Sequence, residues 1–270
     1  MQDNDVATRG LVLLGCGKMG SAMLAGWLER GLPATSVWVQ DPYPSEWLLQ
    51  SGVHVNADLP AVPAMVLVAV KPQMMADALP NMHSLGGGKT AFVSVAAGTP
   101  IAFFEQTLGA STPIVRAMPN TPAAISQGIT AIVGNTAGQQ FLDVAEELLS
   151  AVGQVVRLDS ESQIDGVTGV SGSGPAYVFH MIETLAAAGV SQGLDPALAM
   201  QLAKATVAGA GALAMASEET PEQLRKNVTS PNGTTQAGLE VLMDDANGLP
   251  PLMRQTVAAA TERSKELGRG

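Results

Sequence analysis

The chain has 270 residues and a formal net charge of −10 at pH 7, with 46% hydrophobic and 14% charged residues. That length allows one large or two ordinary domains, and only 4% of residues are aromatic, so the core must come from Ala, Val, Leu, Ile and Met. The acidic balance argues against a nucleic acid or an anionic membrane as partner, because no basic patch is present to neutralise phosphates.

A small anionic ligand stays open, since it needs only local N–H groups and one or two cations. Cys16 is the single cysteine, so no intramolecular disulfide forms, which fits a reducing compartment. Residues 1–9 read as a loose polar tail, and MQDNDVATRG resembles neither a signal nor a transit peptide. No uninterrupted apolar run reaches the roughly 18 to 20 residues of a membrane span. The expectation is a soluble, cytoplasmic protein.

Leu11–Leu14 reads as a short buried strand, Gly15-Cys16-Gly17-Lys18-Met19-Gly20 as a glycine turn, and Ser21–Arg30 as a helix. In that context a G-x-G-x-x-G pattern points to dinucleotide binding. Gly15 allows the tight turn, Gly17 admits a pyrophosphate to the backbone, and Gly20 lets the helix pack on the strand. Free N–H groups at the helix start then hold phosphate. A βα turn that binds nothing is the competing reading. Ser36–Gln40 reads as a second strand ending at Asp41. Asp41 lies about 20 residues past the turn, where an acid meets the adenosine ribose and favours the free 2′-hydroxyl of NAD. A plain turn aspartate ahead of Pro42 is the alternative.

Met65–Val70, Ala91–Val95 and Ile114–Ala117 are apolar runs, as expected of parallel strands buried on both faces. They end in Val70-Lys71-Pro72, Ala96-Ala97-Gly98 and Met118-Pro119-Asn120-Thr121-Pro122. In an open parallel sheet such carboxyl ends share the edge where ligands bind. Gly128–Gly134 and Val155–Leu158 read as later strands around a helix over 137–151. Residues 1–160 therefore read as a doubly wound, Rossmann-type α/β domain.

Residues 161–270 read as a second, all-helical domain. Asp195–Ser217 is helical throughout, Thr220-Pro221-Glu222 has a helix-start pattern, and Pro250 opens a final helix to about Leu267. Residues 209–216 (GAGALAMA) are small and apolar on most faces, so that helix must be buried. At about 25 cal/mol per Å² of apolar burial a thin helical layer gains too little alone, which implies packing against a second subunit. An internally complete bundle is the competing reading.

Two stretches are poor helix formers. Residues 168–177 (TGVSGSGPAY) read as a break, since each Gly costs of order 1 kcal/mol and an interior Pro about 3. Asn227–Gly238 is rich in hydroxyls and opens a helix near Thr234, a good carboxylate receptor; a plain N-cap is the alternative. His54, His83 and His180 form no catalytic ordering, and no cysteine cluster or H-E-x-x-H pattern points to a metal. A dinucleotide site without a catalytic histidine suits a substrate that accepts hydride readily, such as a protonated imine.

In order, GCGKMG, VAVKPQ, VSVAAG, RAMPNTP, DGVTGVSGSGPAYVF and NVTSPNGTTQAGL resemble the pyrroline-5-carboxylate reductases, from about Leu11 to Leu267. The resemblance implies reduction of Δ1-pyrroline-5-carboxylate to L-proline with NADPH or NADH, in a dimer with interleaved C-terminal helices or a larger homo-oligomer. It implies that Gly15, Gly17, Lys18, Met19 and Gly20 hold the pyrophosphate and that Asn56 faces the adenosine end. Val70, Lys71 and Pro72 would line the cofactor cleft, with Ala97 and Asn120 nearer the nicotinamide. Ser230, Asn232, Gly233, Thr234 and Thr235 would bind the substrate. Thr235 would bond the ring nitrogen, with Ser230 and Ser173 completing the catalytic set and Ser173 coming from the other subunit. Two departures stand out. Ser-Pro-Asn-Gly at 230–233 replaces the family's Ser-Pro-Gly-Gly, and Asp41 sits where NADPH-preferring members carry small polar or basic residues. A 3-hydroxyacid dehydrogenase using Lys204, or a non-catalytic dinucleotide sensor, are the rival functions.

Overall fold

The computed structural model describes residues 6–269. The chain divides into two compact units, Met1–Gly172 with Ala260–Gly270, and Ser173–Ala259. The sequence expectation divided it after residue 160.

The first unit is built on one eight-stranded sheet. Its strands are β1 (Leu11–Leu14), β2 (Val37–Gln40), β3 (His54–Val55), β4 (Met65–Val68), β5 (Ala91–Ser94), β6 (Ile114–Met118), β7 (Gly128–Gly134) and β8 (Gly153–Arg157). They lie in the order β3-β2-β1-β4-β5-β6-β7-β8. All neighbours are parallel except β6 and β7, which run antiparallel. The antiparallel pair and the two-residue β3 are additions to the expected open parallel sheet. Hydrophobic runs report burial rather than strand direction, so neither was legible.

Strand β1 lies between β2 and β4, with Leu11 opposite both Val37 and Met65. Leu11 and Leu13 enter one apolar core, Val12 and Leu14 the other. Helices cover both faces, which is why β1 and β4 are apolar throughout. The chain winds outward from β1 through β2 to β3, then returns to the other side of β1 at β4. Beyond the carboxyl ends of β1 and β4 therefore lies the topological switch point, where such sheets leave a crevice.

Residues 6–9 form a short helix instead of a loose tail. Its Arg9 donates to the carbonyls of Pro63 and Lys89, at 3.1 and 2.6 Å. Residues 1–5 of that expected tail lie outside the described residues. The buried Arg116 of β6 pairs with Glu161 at 2.7 Å, and the same carboxylate oxygen accepts from Ile101 N.

The second unit is helical. Helices Gly174–Ser191 and Pro196–Ala216 form a hairpin around Ala186, Ala199 and Ala203. Asp195 caps the second by accepting from the Ala197 and Leu198 amides. Helix Pro221–Asn227 starts as expected, with Thr220 accepting from Gln223 N. Helix Thr234–Leu242 follows, and a final helix, Leu249–Arg269, begins in this unit and belongs to the first from Ala260 on. By length and composition Pro196–Ala216 is long and apolar enough to cross a membrane. No single uninterrupted run showed this, because Gln201, Lys204 and Thr206 break it.

Residues 168–177 are not a break. Thr168–Gly172 forms a turn of π-helix leading to the helix from Gly174. Pro175 is tolerated because it stands in the first turn, where its missing N–H has no helical partner. A π turn lets the backbone run on while its groups shift register, and such turns often mark functional sites.

Candidate functional site

The first unit gathers its predicted cofactor residues on the carboxyl edge of the sheet. The helix after β1 begins at Lys18, earlier than the expected Ser21, so Lys18, Met19 and Gly20 form its first turn. Gly17 is its N-cap and supplies no side-chain bond. The first amides of that helix are thus left for a ligand, with the positive end of the dipole behind them. Gly15 has φ +89°, and a Cβ there would meet Val70 Cγ1 at 2.9 Å. The glycine turn therefore packs against the end of β4. A Cβ on Gly17 would meet nothing within 4 Å. The open side of Gly17, above an uncapped helix start, fits a pyrophosphate.

Asp41 follows β2. Its Oδ2 accepts from the Cys16 amide at 2.6 Å and its Oδ1 from the Tyr43 amide at 2.8 Å. Asn56, left-handed at φ +51°, holds the Asp41 backbone from both sides. Its Oδ1 accepts from Asp41 N at 2.9 Å and its Nδ2 donates to Asp41 O at 2.8 Å. Asn56 therefore acts on Asp41. Burial pushes the Cys16 thiol up to about 11, and the Asp41 charge adds to the rise. The thiol is protonated and unreactive at neutral pH.

Lys71 and Pro72 are exposed after β4, at the start of helix Pro72–Ala78. Ala97 is exposed after β5. Asn120 closes β6 and is committed to protein partners. Its Oδ1 accepts from Ile129 N at 3.0 Å, and its Nδ2 donates to Ser171 Oγ at 3.3 Å. Ser171 was missed as a partner of Asn120; its place in the SGSG run was the available signal.

In the second unit the turn before Thr234 carries the other predicted residues. Asn232 has φ +58°, the left-handed backbone expected where the family has Gly. Gly233 is the N-cap of helix Thr234–Leu242, with no side-chain cap. Ser230, Asn232, Thr234 and Thr235 are exposed. The turn is braced by Asn232 N donating to Gln236 Oε1 at 2.8 Å. This arrangement leaves the first helix amides unpaired and puts the hydroxyls of Ser230, Thr234 and Thr235 in the same turn, groups suited to a small anion. An open cleft of about 640 Å³ beside it is lined by Arg225, Gln236, Leu239 and Met243, among others, and includes neither Ser230 nor Thr235. Ser173 is on a different element, ahead of helix Gly174–Ser191.

The histidines have other partners. His54 stacks on Trp38, His83 Nδ1 lies 2.8 Å from Thr107 O, and His180 Nδ1 lies 3.1 Å from Glu183 Oε2. Lys204 is exposed on helix Pro196–Ala216.

Comparison with known proteins agrees with both halves. Residues 161–267 match a family described as pyrroline-5-carboxylate reductase dimerisation. Residues 10–98 match one described as NADP oxidoreductase, coenzyme F420-dependent. The chain is 38% identical over 269 residues to a pyrroline-5-carboxylate reductase of Pseudomonas aeruginosa, covering 97% of this chain and 98% of that protein. It is 36% identical to the protein of that name from Methanosarcina acetivorans, covering 95% and 97%. Among solved structures, a pyrroline-5-carboxylate reductase of Coxiella burnetii superposes with TM-score 0.90 at 32% identity, covering 96% and 98% of the two chains. The Plasmodium falciparum pyrroline carboxylate reductase with NADP bound gives 0.83 at 27%, covering 97% and 99%.

Proposed function

This chain belongs to the pyrroline-5-carboxylate reductase family, and from that premise we propose which of its residues carry the reaction. The enzyme reduces the C=N bond of Δ1-pyrroline-5-carboxylate to give L-proline, using NAD(P)H, and works as a homo-oligomer. The bound nicotinamide supplies the hydride.

Gly15, Gly17, Lys18, Met19 and Gly20 hold the pyrophosphate on the amides of the first turn, and Lys18 adds a cation there. Asp41 faces the adenosine ribose, and Asn56 positions it. Val70, Lys71, Pro72 and Ala97 line the cleft toward the nicotinamide. Asn120, fixed by Ile129 and Ser171, keeps the end of β6 in place beside it.

Ser230 and Thr234 receive the substrate carboxylate on their hydroxyls and on the free first amides of the helix, while Asn232 and Gly233, whose amides are bonded to Gln236 Oε1 and Ser230 O, shape the turn that presents them. Thr235 accepts the N–H of the protonated ring nitrogen on its hydroxyl oxygen and so holds the imine carbon in line for reduction. Ser173, from a partner subunit, closes the pocket. No general base is needed, because a protonated imine is already electrophilic. Holding the two reactants in register is a term that can reach about 7 to 11 kcal/mol. The observation that carries this reading is the uncapped start of helix Thr234–Leu242 behind left-handed Asn232. It is a preformed anion receptor with a hydroxyl one residue inside.

The proposed assembly is a dimer with interleaved C-terminal helices, or a larger ring of such dimers, in the cytoplasm. Its support is apolar surface. Phe179, Leu198, Leu202, Leu213 and Met215 are all exposed.

The test follows reduced-nicotinamide absorbance with pyrroline-5-carboxylate. Thr235→Ala should lower kcat about 100-fold, the scale of a misplaced reacting carbon, with cofactor affinity unchanged. Unaltered turnover would remove Thr235 from the mechanism.

A further inference from the structure

We propose that Asp41 makes this enzyme select NADH over NADPH. The inference rests on the cofactor site proposed above and concerns only its adenosine end.

Asp41 is held on four sides. Its carboxylate accepts from the amides of Cys16 and Tyr43, and its backbone N–H and C=O are both bonded to the Asn56 side chain. The Cys16 bond ties the charge to the glycine turn itself. A fixed negative charge therefore stands one hydrogen bond from the loop that would carry the pyrophosphate. The carboxylate cannot swing away without giving up the Cys16 and Tyr43 bonds, and the Asn56 clasp fixes the backbone that carries it.

A carboxylate offers about four acceptor sites. The two amides use two, and the rest remain for donors. Ribose hydroxyls are donors. A 2′-phosphate has only acceptors at neutral pH and carries about −1.5 to −2 charge. It would meet Asp41 as like charge against like charge.

Nothing nearby in the chain reverses this. Residues 37–62 contain no Lys or Arg, and they add Glu46 and Asp58. Arg30, the nearest cation before them, donates to Ser150 Oγ and O at 2.9 and 2.6 Å. Lys18 is the only cation of the glycine turn, and it lies in the first helical turn, where the pyrophosphate uses it.

The experiment measures equilibrium binding of NADH and NADPH to the full-length protein by calorimetry. ADP-ribose and its 2′-phosphorylated form are measured beside them, with kcat/KM for pyrroline-5-carboxylate in parallel. NADH should bind about tenfold or more tightly than NADPH, because juxtaposed like charges cost a complex that much or more. The ADP-ribose pair should show the same ratio. Asp41→Asn keeps the shape and an acceptor for Cys16 N but removes the charge, so it should bring the two cofactors close to equal. Equal or tighter NADPH binding by the unaltered protein overturns the proposal and assigns the 2′-phosphate to Lys18. So does a gap that survives Asp41→Asn in a variant with an unchanged Tm. Should that variant fail to fold, the ADP-ribose pair decides. A gap present with the full cofactors but absent with the ADP-ribose pair places discrimination elsewhere and overturns it. Absence of imine reduction with either cofactor would defeat the reductase assignment, while the binding ratio would still be read.

Discussion

A methyl group added at Gly20 would lie 2.4 Å from the carbonyl oxygen of Gly15, whereas one added at Gly17 would meet nothing within 4 Å. Two glycines of one motif are therefore required for different reasons. Gly20 is needed by the fold, because the helix packs too closely on the carbonyl of the glycine turn for a Cβ. At the proposed cofactor site Gly17 would be needed by the ligand, whose phosphates would take that space. Gly20→Ala should lower Tm, with the 1–3 kcal/mol typical of overpacking. Gly17→Ala should leave Tm nearly unchanged, because its φ of −70° suits alanine, yet weaken NAD(P)H binding. Thermal melts with and without cofactor separate the two. A Gly17→Ala protein that keeps full cofactor affinity would place the pyrophosphate elsewhere. The motif was legible in the sequence, but the division of labour within it was not, since it depends on which atoms face each Cα.

Elements show a similar division. Strands β1, β4 and β5 were legible as apolar runs, because burial on both faces leaves no polar alternation to confuse them, whereas the half-exposed, two-residue β3 left no such run. Residues 168–177 were misread, because composition scores glycine and proline as breakers wherever they fall. The structure absorbs Gly169 and Gly172 into a π turn and puts Gly174 and Pro175 in the first turn of the following helix. Asn232 takes, at φ +58°, the left-handed backbone that Asn tolerates where the resembling family has Gly. Asn232→Gly should be close to neutral for stability and KM. Asn232→Ala should cost about 1–2 kcal/mol for the left-handed angle and raise KM for the imine by disturbing the amides of helix Thr234–Leu242. Equal KM for both variants would mean that the turn does not shape the substrate site.

For the whole molecule the informative fact is exposed apolar surface. Only 11% of the most apolar window of helix Pro196–Ala216 is buried within the chain, and Leu202 and Leu213 are about half exposed. Full burial of a leucine is worth about 1.5–3 kcal/mol, and a two-fold interface counts each residue twice. The double variant Leu202→Asp with Leu213→Asp should therefore shift the protein to monomer in sedimentation, where the unaltered chain sediments as an oligomer. An unchanged sedimentation coefficient would show that this helix face is not the interface.

The sequence alone determined the chemistry: a glycine turn between strand and helix, apolar runs for a doubly wound sheet, and a hydroxyl-rich helix start after Ser-Pro-Asn-Gly. These are local patterns, set by residues within a few positions of one another. Tertiary structure decided what depends on residues far apart in the chain. It set the antiparallel pairing of β6 with β7, the clasp of Asn56 on the Asp41 backbone, and the bond that brings the Asp41 charge onto the Cys16 amide. A hydrogen bond between residues 16 and 41 leaves no trace in either segment's composition, because it exists only once β1 and β2 lie side by side.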